Sequence, residues 1–456
     1  MIQTNYLFGR LALTGALLLG CKPGNQDGVA LVGATLIDGS GGPPVANAAV
    51  VVREGRIESV GLRTDFQLPG RTREVDVTGH WIIPGLIDAH VHLAPAASWA
   101  RPRFLAWGVT AVRDAHGGMA SLSRLKKGAA PGAPEGPRVY AAGAMIDGLP
   151  ATFPDAIGVN NEGEARKGAD RLVSAGADFV KVYTRIDPPL LRAIVDEARV
   201  FNLGVSAHLG MTDAVTAAKA GVASIEHLTG VPEAASPNAK SLFGAHYRGF
   251  YPGWTASERS WAGLDSAALA RVANRLAEGK ITLVPTLVLH ETLSRLNEPG
   301  LLRDPALQDV PEAEQKEWDV HGLIARIGWT ETDFEAFQKS RANQDLFIRQ
   351  FSAAGGRLAA GIDAAGPMLI PGYSQHREME LLVRAGLTPR EALRAATRNV
   401  AILIGVDSLG LLAPGKVADL LVLSRDPLVD IRNTRAITSV MARGYLLDAD
   451  SIRATW

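Results

Sequence analysis

The chain has 456 residues, and its 47 Lys and Arg residues balance its 47 Asp and Glu residues, so the basic surplus typical of nucleic-acid-binding proteins is absent. Hydrophobic residues make up 47% and charged residues 21%, values that exclude disorder as a description of the whole chain. The single cysteine excludes an internal disulfide framework and a cysteine-based zinc cluster, so any metal site must use His, Asp, Glu or Lys.

The first elements are an apolar run over residues 11–20 and the only cysteine, Cys21. Ten residues span about 15 Å as a helix, half of a bilayer core of about 30 Å, which is typical of the apolar region of an export signal. Residues 18–21, Leu-Leu-Gly-Cys, resemble the cleavage site of bacterial lipoproteins. This predicts a signal over 1–20, a lipid on Cys21 and a flexible tether over 21–28. We therefore expect an exported envelope protein, in the periplasm or outer membrane, that contacts the membrane only through Cys21; the alternative is a leader whose thiol has no role.

Short apolar and β-branched runs, separated by glycine and proline, occur near both ends of the remaining chain, at 30–37, 49–52, 56–60, 418–423 and 437–441. Because the two ends share this character, we predict one small β-sandwich built from residues 29–80 and 410–456.

Between these ends, strand-like and helix-like stretches alternate, which predicts an α/β fold with a TIM-like (β/α)₈ barrel over residues 81–409. The helical patterns include 189–201 and 212–220. Two connections, at 229–279 and 290–356, are longer than ordinary barrel loops and are predicted insertions. The first carries Tyr251, Trp254 and Trp261, which fit an apolar lid or a satellite core equally well. The eight predicted strands are 81–89, 109–113, 138–142, 179–183, 204–207, 223–226, 281–287 and 357–362.

His90 and His92 end the first predicted strand, in the run Asp-Ala-His-Val-His. Side chains two positions apart on a strand face the same way, so both imidazoles can bind one metal ion. With ten histidines in the chain such a pair also arises by chance. Its place at the carboxyl end of a barrel strand is what indicates function, because barrel active sites lie on that face.

Lys181 lies within an otherwise apolar strand, where burying a cation would be costly. An edge strand with an exposed lysine or a salt bridge is the structural interpretation. The functional interpretation is a deprotonated amine that captures carbon dioxide as a carbamate and so becomes an anionic ligand able to bridge two metal ions.

Three further candidate ligands follow predicted strands at barrel spacing: His208, His227 and Asp363. Single histidines at such places are more often structural, but two in successive units favour a site. Asp363 closes the eighth strand, beside the first, and fits either a helix cap or a metal ligand that carries protons.

Together these residues, with the motifs PGLIDAHVH (84–92), GVTAVRD (108–114), AGVASIEH (220–227) and GLTPREALRAAT (386–397), give the chain a clear resemblance to the amidohydrolase superfamily in its two-metal form. The resemblance is greatest to the imidazolonepropionase-like and Xaa-Pro dipeptidase (prolidase) group. It extends to LGLLAPGKVADL (409–420) at the return into the predicted sandwich.

The resemblance implies two divalent metal ions, zinc by default. One ion would be bound by His90 and His92 with Asp363. The other would be bound by His208 and His227, with N6-carboxylated Lys181 as the bridge. A hydroxide between the ions would attack the scissile amide while Asp363 moves the proton from the nucleophile to the leaving amine.

Other residues near the predicted site have less certain roles. Tyr183 shares a face with Lys181 and is either a hydrogen-bond donor to the substrate carbonyl or a core tyrosine. His376 is either a catalytic-site residue or part of its helix. Arg113 and Arg185 fit a substrate carboxylate or surface salt bridges. His116 and the segment 144–150 depart from the family pattern, which commonly has a histidine-bearing glycine turn after the third strand; Ile362 replaces a common threonine.

The leading functional hypothesis is a metal-dependent amidohydrolase that cleaves a C–N amide bond in a small-molecule or peptide substrate, either an Xaa-Pro-like dipeptide or an N-acyl amino acid. The alternatives are hydrolysis of a cyclic amide or imidazolone ring and a non-catalytic binding lipoprotein. No nucleic-acid partner is expected, and a homo-oligomer is left open.

Overall fold

A computed structural model describes residues 28–455 except 66, 69, 94–96, 127–131 and 365. The predicted signal and Cys21 lie outside the described residues. No helix in the described part of the chain has both the length and the apolar character that a membrane span requires.

Strands from both ends of the chain form one eight-stranded sheet. Ile57, on an edge strand of this sheet, also bonds to the segment that precedes Leu420: the Ile57 amide donates to the Lys416 carbonyl, and the Gly415 amide donates to the Ile57 carbonyl. A separate core of buried residues from both ends, such as Leu31, lies within this unit. Its strands are β1 (Val29–Leu36), β2 (Val45–Arg53), β3 (Arg56–Leu62), β4 (Arg73–Asp76), β5 (Trp81–Pro84), β16 (Leu420–Leu423), β17 (Ile437–Ala442) and β18 (Tyr445–Asp448). They pair in the order β18-β17-β16-β5-β1-β2-β3, with β4 paired to β1.

The middle of the chain forms the predicted barrel of parallel strands. Two short strands, Arg138–Ala141 and Ile146–Gly148, share its third position. The ring closes between its first and last strands, where the Ala89 amide donates to the Ala360 carbonyl and Val91 bridges Ala364. The barrel strands are β6 (Leu86–Val91), β7 (Val109–Asp114), β8 (Arg138–Ala141), β9 (Ile146–Gly148), β11 (Val180–Val182), β12 (Val205–Ala207), β13 (Ser224–Glu226), β14 (Thr282–Val284) and β15 (Arg357–Leu358), with β10 (Ile157–Val159) beside β9.

Helices cover the barrel and fill both long connections. Those between barrel strands are α1 (Ala97–Ala106), α2 (Gly118–Lys126), α3 (Glu162–Ser174), α4 (Pro188–Val200) and α5 (Ala214–Ala220). The connection after β13 holds α6 (Val231–Ala235), α7 (Ala239–Arg248), α8 (Phe250–Ser260) and α9 (Ser266–Glu278). The connection after β14 holds α10 (Leu287–Leu293), α11 (Glu312–Glu317), α12 (Val320–Ile327) and α13 (Glu331–Ala353). The last helices are α14 (Tyr373–Arg384), α15 (Pro389–Ala395), α16 (Arg398–Leu403) and α17 (Ala449–Arg453).

The predicted strand over 81–89 is two strands that belong to different sheets. β5 pairs with β16 and β1, whereas β6 pairs with β7. The change occurs at Gly85, where a Cβ atom would lie 2.3 Å from Thr110 Oγ1. Only glycine allows the chain to pass this closely, so the sheet ends here and the barrel begins.

Two other predicted strands end well before their expected carboxyl ends. The strand predicted over 281–287 ends at Val284, because Thr286 has a left-handed backbone (φ +47°) and α10 begins at Leu287. The strand predicted over 357–362 is Arg357–Leu358, although the residues that follow still hydrogen-bond to the first barrel strand. β9 and β10 were not predicted.

Candidate active site

The two histidines at the end of the first barrel strand point their Nε2 atoms at one carboxylate oxygen. His90 Nε2 lies 3.3 Å and His92 Nε2 lies 3.0 Å from Asp363 Oδ1. His90 donates its Nδ1 hydrogen to Glu226 Oε2 (2.7 Å), and His92 donates its own to the His116 carbonyl (3.2 Å). Because each Nδ1 carries the hydrogen, neutral rings present bare Nε2 lone pairs to an anionic oxygen. The arrangement therefore requires positive charge, either a proton or a metal ion.

Asp363 is held in this position by the closure of the barrel. Its amide donates to the His90 carbonyl (2.8 Å), and its backbone is left-handed (φ +62°). His227 has the same unusual backbone (φ +57°). Such conformations cost about 1–3 kcal/mol each in non-glycine residues and concentrate at functional sites.

Lys181, His208 and His227 come from three successive barrel strands and meet beside His90. The ring centroids of His208 and His227 are 4.8 Å apart, and those of His227 and His90 are 4.4 Å apart. Lys181 is 1% exposed, and its Nζ has no hydrogen-bond partner among the described residues. The alternative of an exposed edge lysine is therefore wrong.

Burial sets the protonation of these groups. It lowers the pKa of Lys181 to about 8, with Glu226 and Asp363 opposing the shift and Arg113 adding to it. Burial and the charge of Lys181 lower the pKa of His90 to about 4. They also hold the pKa values of His208 and His227 well below the ordinary histidine value. Neutral imidazoles are the form that binds metal ions.

The same residues fit a metal ion by the position of their donor atoms. His90, His227 and Asp363 each offer one ligand atom, and these atoms all lie within 4.8 Å of one another. Among the residues that the structure describes, His90 Nε2 and Asp363 Oδ1 are buried and have no hydrogen-bond partner. This trio combines residues that are predicted to bind two different ions, so the closest group differs from the predicted division of ligands.

Glu226 is the residue that sequence reasoning missed. It is fully buried at the end of β13, and its Oε1 accepts hydrogen bonds from Ser206 Oγ (2.6 Å), Ser224 Oγ (2.6 Å) and Arg113 Nη1 (3.2 Å). Burial alone would raise the pKa of Glu226, but Arg113 and His90 hold it well below the ordinary value. An ionised acceptor opposite Nδ1 fixes the tautomer of His90. The signal in the sequence was a glutamate inside a buried strand, directly before His227.

Helix α8 of the first insertion packs on the histidines through residues four positions apart, which share one helix face. The Phe250 ring lies 5.8 Å and the Trp254 ring 6.0 Å from the ring of His208. Trp254 stacks on His290 (5.5 Å), whose Nε2 donates to the His227 carbonyl (3.1 Å).

The two interpretations of the insertion aromatics apply to different residues. Trp254 is 7% exposed and covers the histidines, whereas Trp261 is 1% exposed and packs on Phe347 in a satellite core. Tyr251 is 45% exposed.

Tyr183 lies at the site, with its ring 4.6 Å from that of His208. Burial raises the pKa of Tyr183 well above the ordinary value, so the phenol stays protonated and is a donor.

The ring of His116 lies farther from the candidate ligands than that of Tyr183 does. Met145 N donates to its Nδ1 (3.1 Å), and its Nε2 donates to Asp155 Oδ1 (3.1 Å).

His376 is not brought to the site, and its predicted catalytic role is wrong. It is fully buried, with Nε2 donating to the Trp107 carbonyl (3.0 Å) and Nδ1 2.8 Å from Thr434 Oγ1. Trp107 precedes the amino end of β7, the barrel end opposite the catalytic face. Both ring nitrogens thus stabilise the packing of α14.

The two candidate arginines, Arg113 and Arg185, have different surroundings. Arg113 is 2% exposed inside the barrel and pairs with Glu226. It therefore neither binds a substrate carboxylate nor forms a surface salt bridge. Arg185 follows the end of β11, where its Nη2 donates to the Tyr247 carbonyl (3.4 Å).

The chain is similar to known proteins along most of its length. A model of the amidohydrolase family matches residues 81–447. Ochratoxinase from Aspergillus niger is 25% identical, over 93% of this chain and 88% of its own. Imidazolonepropionase from Rhizorhabdus wittichii is 26% identical, over 84% of this chain and 89% of its own. The crystal structure of a prolidase candidate from Bifidobacterium longum is 26% identical, with a TM-score of 0.66 over 94% of this chain and 98% of its own.

Proposed function

Because the chain belongs to the amidohydrolase family and is a hydrolase that acts on carbon–nitrogen bonds, we propose that it cleaves the amide bond of an Xaa-Pro-like dipeptide or of an N-acyl amino acid. The observation that carries this proposal is the convergence of His90 Nε2, Asp363 Oδ1 and Lys181 Nζ at the carboxyl ends of the barrel strands. All three atoms are buried, and none has a hydrogen-bond partner within the described part of the chain. Hydrolytic chemistry needs such a group of bare ligand atoms if metal ions do the work that Ser or Cys nucleophiles do elsewhere.

Two divalent ions, for which zinc is the default with these ligands, would supply an activated water and a polarised carbonyl when bound. His90, His92 and Asp363 would hold one ion, and His208 and His227 the other. The close group of His90, His227 and Asp363 indicates that the two sets of ligands share one space.

Lys181 would join the two sets as a carbamate. Its pKa of about 8 leaves a fraction of neutral amine at neutral pH, and the unpartnered Nζ can form an N–C bond to carbon dioxide with release of one proton. The product is an anion, and beside the carboxylates of Glu226 and Asp363 its charge would have to be balanced by the two divalent ions that it would join.

Asp363 would move the proton of the reaction. Its Oδ1 would accept a proton from the attacking water and deliver it to the nitrogen of the leaving amine. Tyr183, protonated and beside His208, would donate a hydrogen bond to the carbonyl oxygen as charge develops there.

Arg185 would bind the free carboxylate of a dipeptide or N-acyl amino acid. It lies in the turn just after β11, two residues beyond Tyr183, and among the described residues it forms no ion pair with a carboxylate. Arg113, by contrast, is already occupied by Glu226.

The test is a screen of zinc- and bicarbonate-treated protein against dipeptides and N-acyl amino acids, with the released amino acids quantified. Release of an amino acid from either class supports the proposal. The match to imidazolonepropionase favours ring opening as the second candidate, and this reaction releases no amino acid. Hydrolysis of a cyclic imidazolone without any amino acid release would replace the amide proposal. Protein that retains no divalent ion after the treatment would favour the non-catalytic alternative.

We also propose export and lipidation at Cys21, on the sequence pattern of residues 11–21. The test expresses the full chain and its Cys21→Ser variant in a bacterial host and measures the membrane fraction and the mass of the mature protein. Equal soluble distribution of both proteins would contradict the anchor.

A further inference from the structure

Aromatic side chains form a continuous surface from the buried ring of His208 to solvent. The ring of Tyr183 lies 4.6 Å from His208, with Phe153 at 5.6 Å on one side of Tyr183 and Phe250 at 5.8 Å on the other. Phe250 in turn contacts Tyr251 (5.1 Å). We name Phe153, Tyr183, Phe250 and Tyr251 the aromatic rim.

The rim residues are more exposed the farther they lie from His208. Tyr183 is 8% exposed, whereas Phe153 is 39% and Tyr251 45% exposed. Leu149 (54%) and Tyr247 (71%), each four residues before an outer residue of the rim, are also exposed. An apolar surface that runs from solvent to a reactive centre is typical of a ligand site, whereas single exposed apolar residues need no explanation.

The rim is anchored rather than loosely attached to the barrel. The buried carboxylate of Asp147 accepts hydrogen bonds from the amides of Thr152 (2.8 Å) and Arg185 (2.9 Å), which ties the Phe153 segment to the end of β11. Phe250 lies on the face of α8 that packs on His208. Hydrogen bonds and packing therefore hold both sides of the rim next to the histidines.

We propose that the aromatic rim is the binding site for a flat aromatic group of the substrate, next to the scissile amide. The inference rests on the proposed function and narrows it, because it makes the substrate an N-acyl amino acid or dipeptide that carries an aromatic group. The exposed parts of Phe153 and Tyr251 offer a substrate ring the offset-stacked or edge-to-face contacts that aromatic pairs prefer. Arg185, at the same end of β11, supplies the cation for the carboxylate of such a substrate.

The first experiment compares kcat/KM of the zinc-loaded enzyme on N-acetyl-L-alanine, N-acetyl-L-phenylalanine and N-benzoyl-L-alanine. The pair of aromatic compounds places the ring on either side of the amide. We expect at least one to exceed N-acetyl-L-alanine about tenfold, in line with the burial of one aromatic ring. Equal values for all three compounds would overturn the proposal.

The second experiment uses the rim variants Phe153→Ala and Tyr251→Ala. Each should reduce the ratio of aromatic to alanine kcat/KM about three- to tenfold, mainly through KM. Phe153→Tyr keeps an aromatic ring and should restore the ratio. Phe201→Ala is the control, because Phe201 is equally exposed (44%) but follows α4 at the opposite end of the barrel. An unchanged ratio in both alanine variants would overturn the proposal.

A binding measurement separates this inference from the proposed function. Calorimetric titration of the zinc-loaded protein with L-phenylalanine and benzoate, against L-alanine and acetate, should show tighter binding of the aromatic products that Phe153→Ala weakens. If no amide is hydrolysed but this difference is found, the proposed function fails and the rim remains a ligand site. If Phe153→Ala alters only the sedimentation coefficient, the rim is an interface between copies of the chain and the inference is wrong.

Discussion

His90 Nδ1 lies 2.7 Å from Glu226 Oε2, and both side chains are fully buried. Because a carboxylate can only accept, the contact assigns the hydrogen to Nδ1 and leaves Nε2 free to face Asp363. Arg113, Ser206 and Ser224 occupy the other oxygen of Glu226, so this carboxylate cannot turn away.

Glu226→Gln should weaken zinc binding about 10- to 100-fold, the usual cost of losing a partner behind a metal ligand. The amide still accepts from His90, but it lacks the charge that balances Arg113. Zinc affinity is measured by competition with a chelator. Glu233→Gln is the matched control, since Glu233 is a buried glutamate paired with His246 (2.9 Å) outside the cluster. The two variants having equal zinc affinity would refute the role of Glu226.

Lys181→Ala should abolish activity, and acetate or propionate should partly restore it, because a free carboxylate can occupy the place of the carbamate. The measurement is turnover of a screened substrate against carboxylate concentration. Wild-type enzyme in the same buffers controls for a general effect of the anion. Near-normal activity of the variant without added carboxylate would rule out the bridging role.

Asp363→Asn should retain substrate binding and lose turnover, with kcat reduced at least about 100-fold, because the amide cannot accept and return a proton. Steady-state kinetics and the zinc content of both proteins give the readouts. A large rise in KM together with loss of zinc would show instead that Asp363 acts mainly as a structural ligand.

Ionisation of Glu378 should lower the free energy of unfolding of the protein as the pH rises. This buried side chain accepts from the Val288 amide (2.7 Å), and burial raises its pKa to about 7 from the ordinary 4.5. Between these values the folded protein holds a proton that the unfolded chain has released, so the free energy of unfolding falls as pH rises through this window.

Glu378→Gln removes the ionisation and should be more stable than wild type at pH 8, by up to about 3 kcal/mol, and nearly equal at pH 5. Urea unfolding at both pH values measures the difference. Glu335→Gln, on the exposed face of α13, is the control. A gain that is the same at both pH values would mean that ionisation of Glu378 is not its cause.

Much of the fold was predictable because the relevant signals are local. The barrel strands are short apolar runs, and His208 and His227 follow their carboxyl ends, where topology brings them together. The break at Gly85 was not predictable in this way, because it depends on the approach of Thr110 from the next strand.

The same distinction explains the two main errors at the site. Glu226 matters because Arg113 and Ser206 arrive from other strands, and neither contact has a signature in the residues around Glu226. His376 lies on a helix whose orientation the sequence leaves open, and packing turns it toward Trp107 and Thr434.

β5 lies between β16, from the last tenth of the chain, and β1, from the first. During synthesis, therefore, one edge of β5 has no partner until translation has almost finished. An uncovered strand edge invites pairing with other chains. A ribosome that stalls after the barrel would release a polypeptide with its catalytic face complete but this edge open to aggregation.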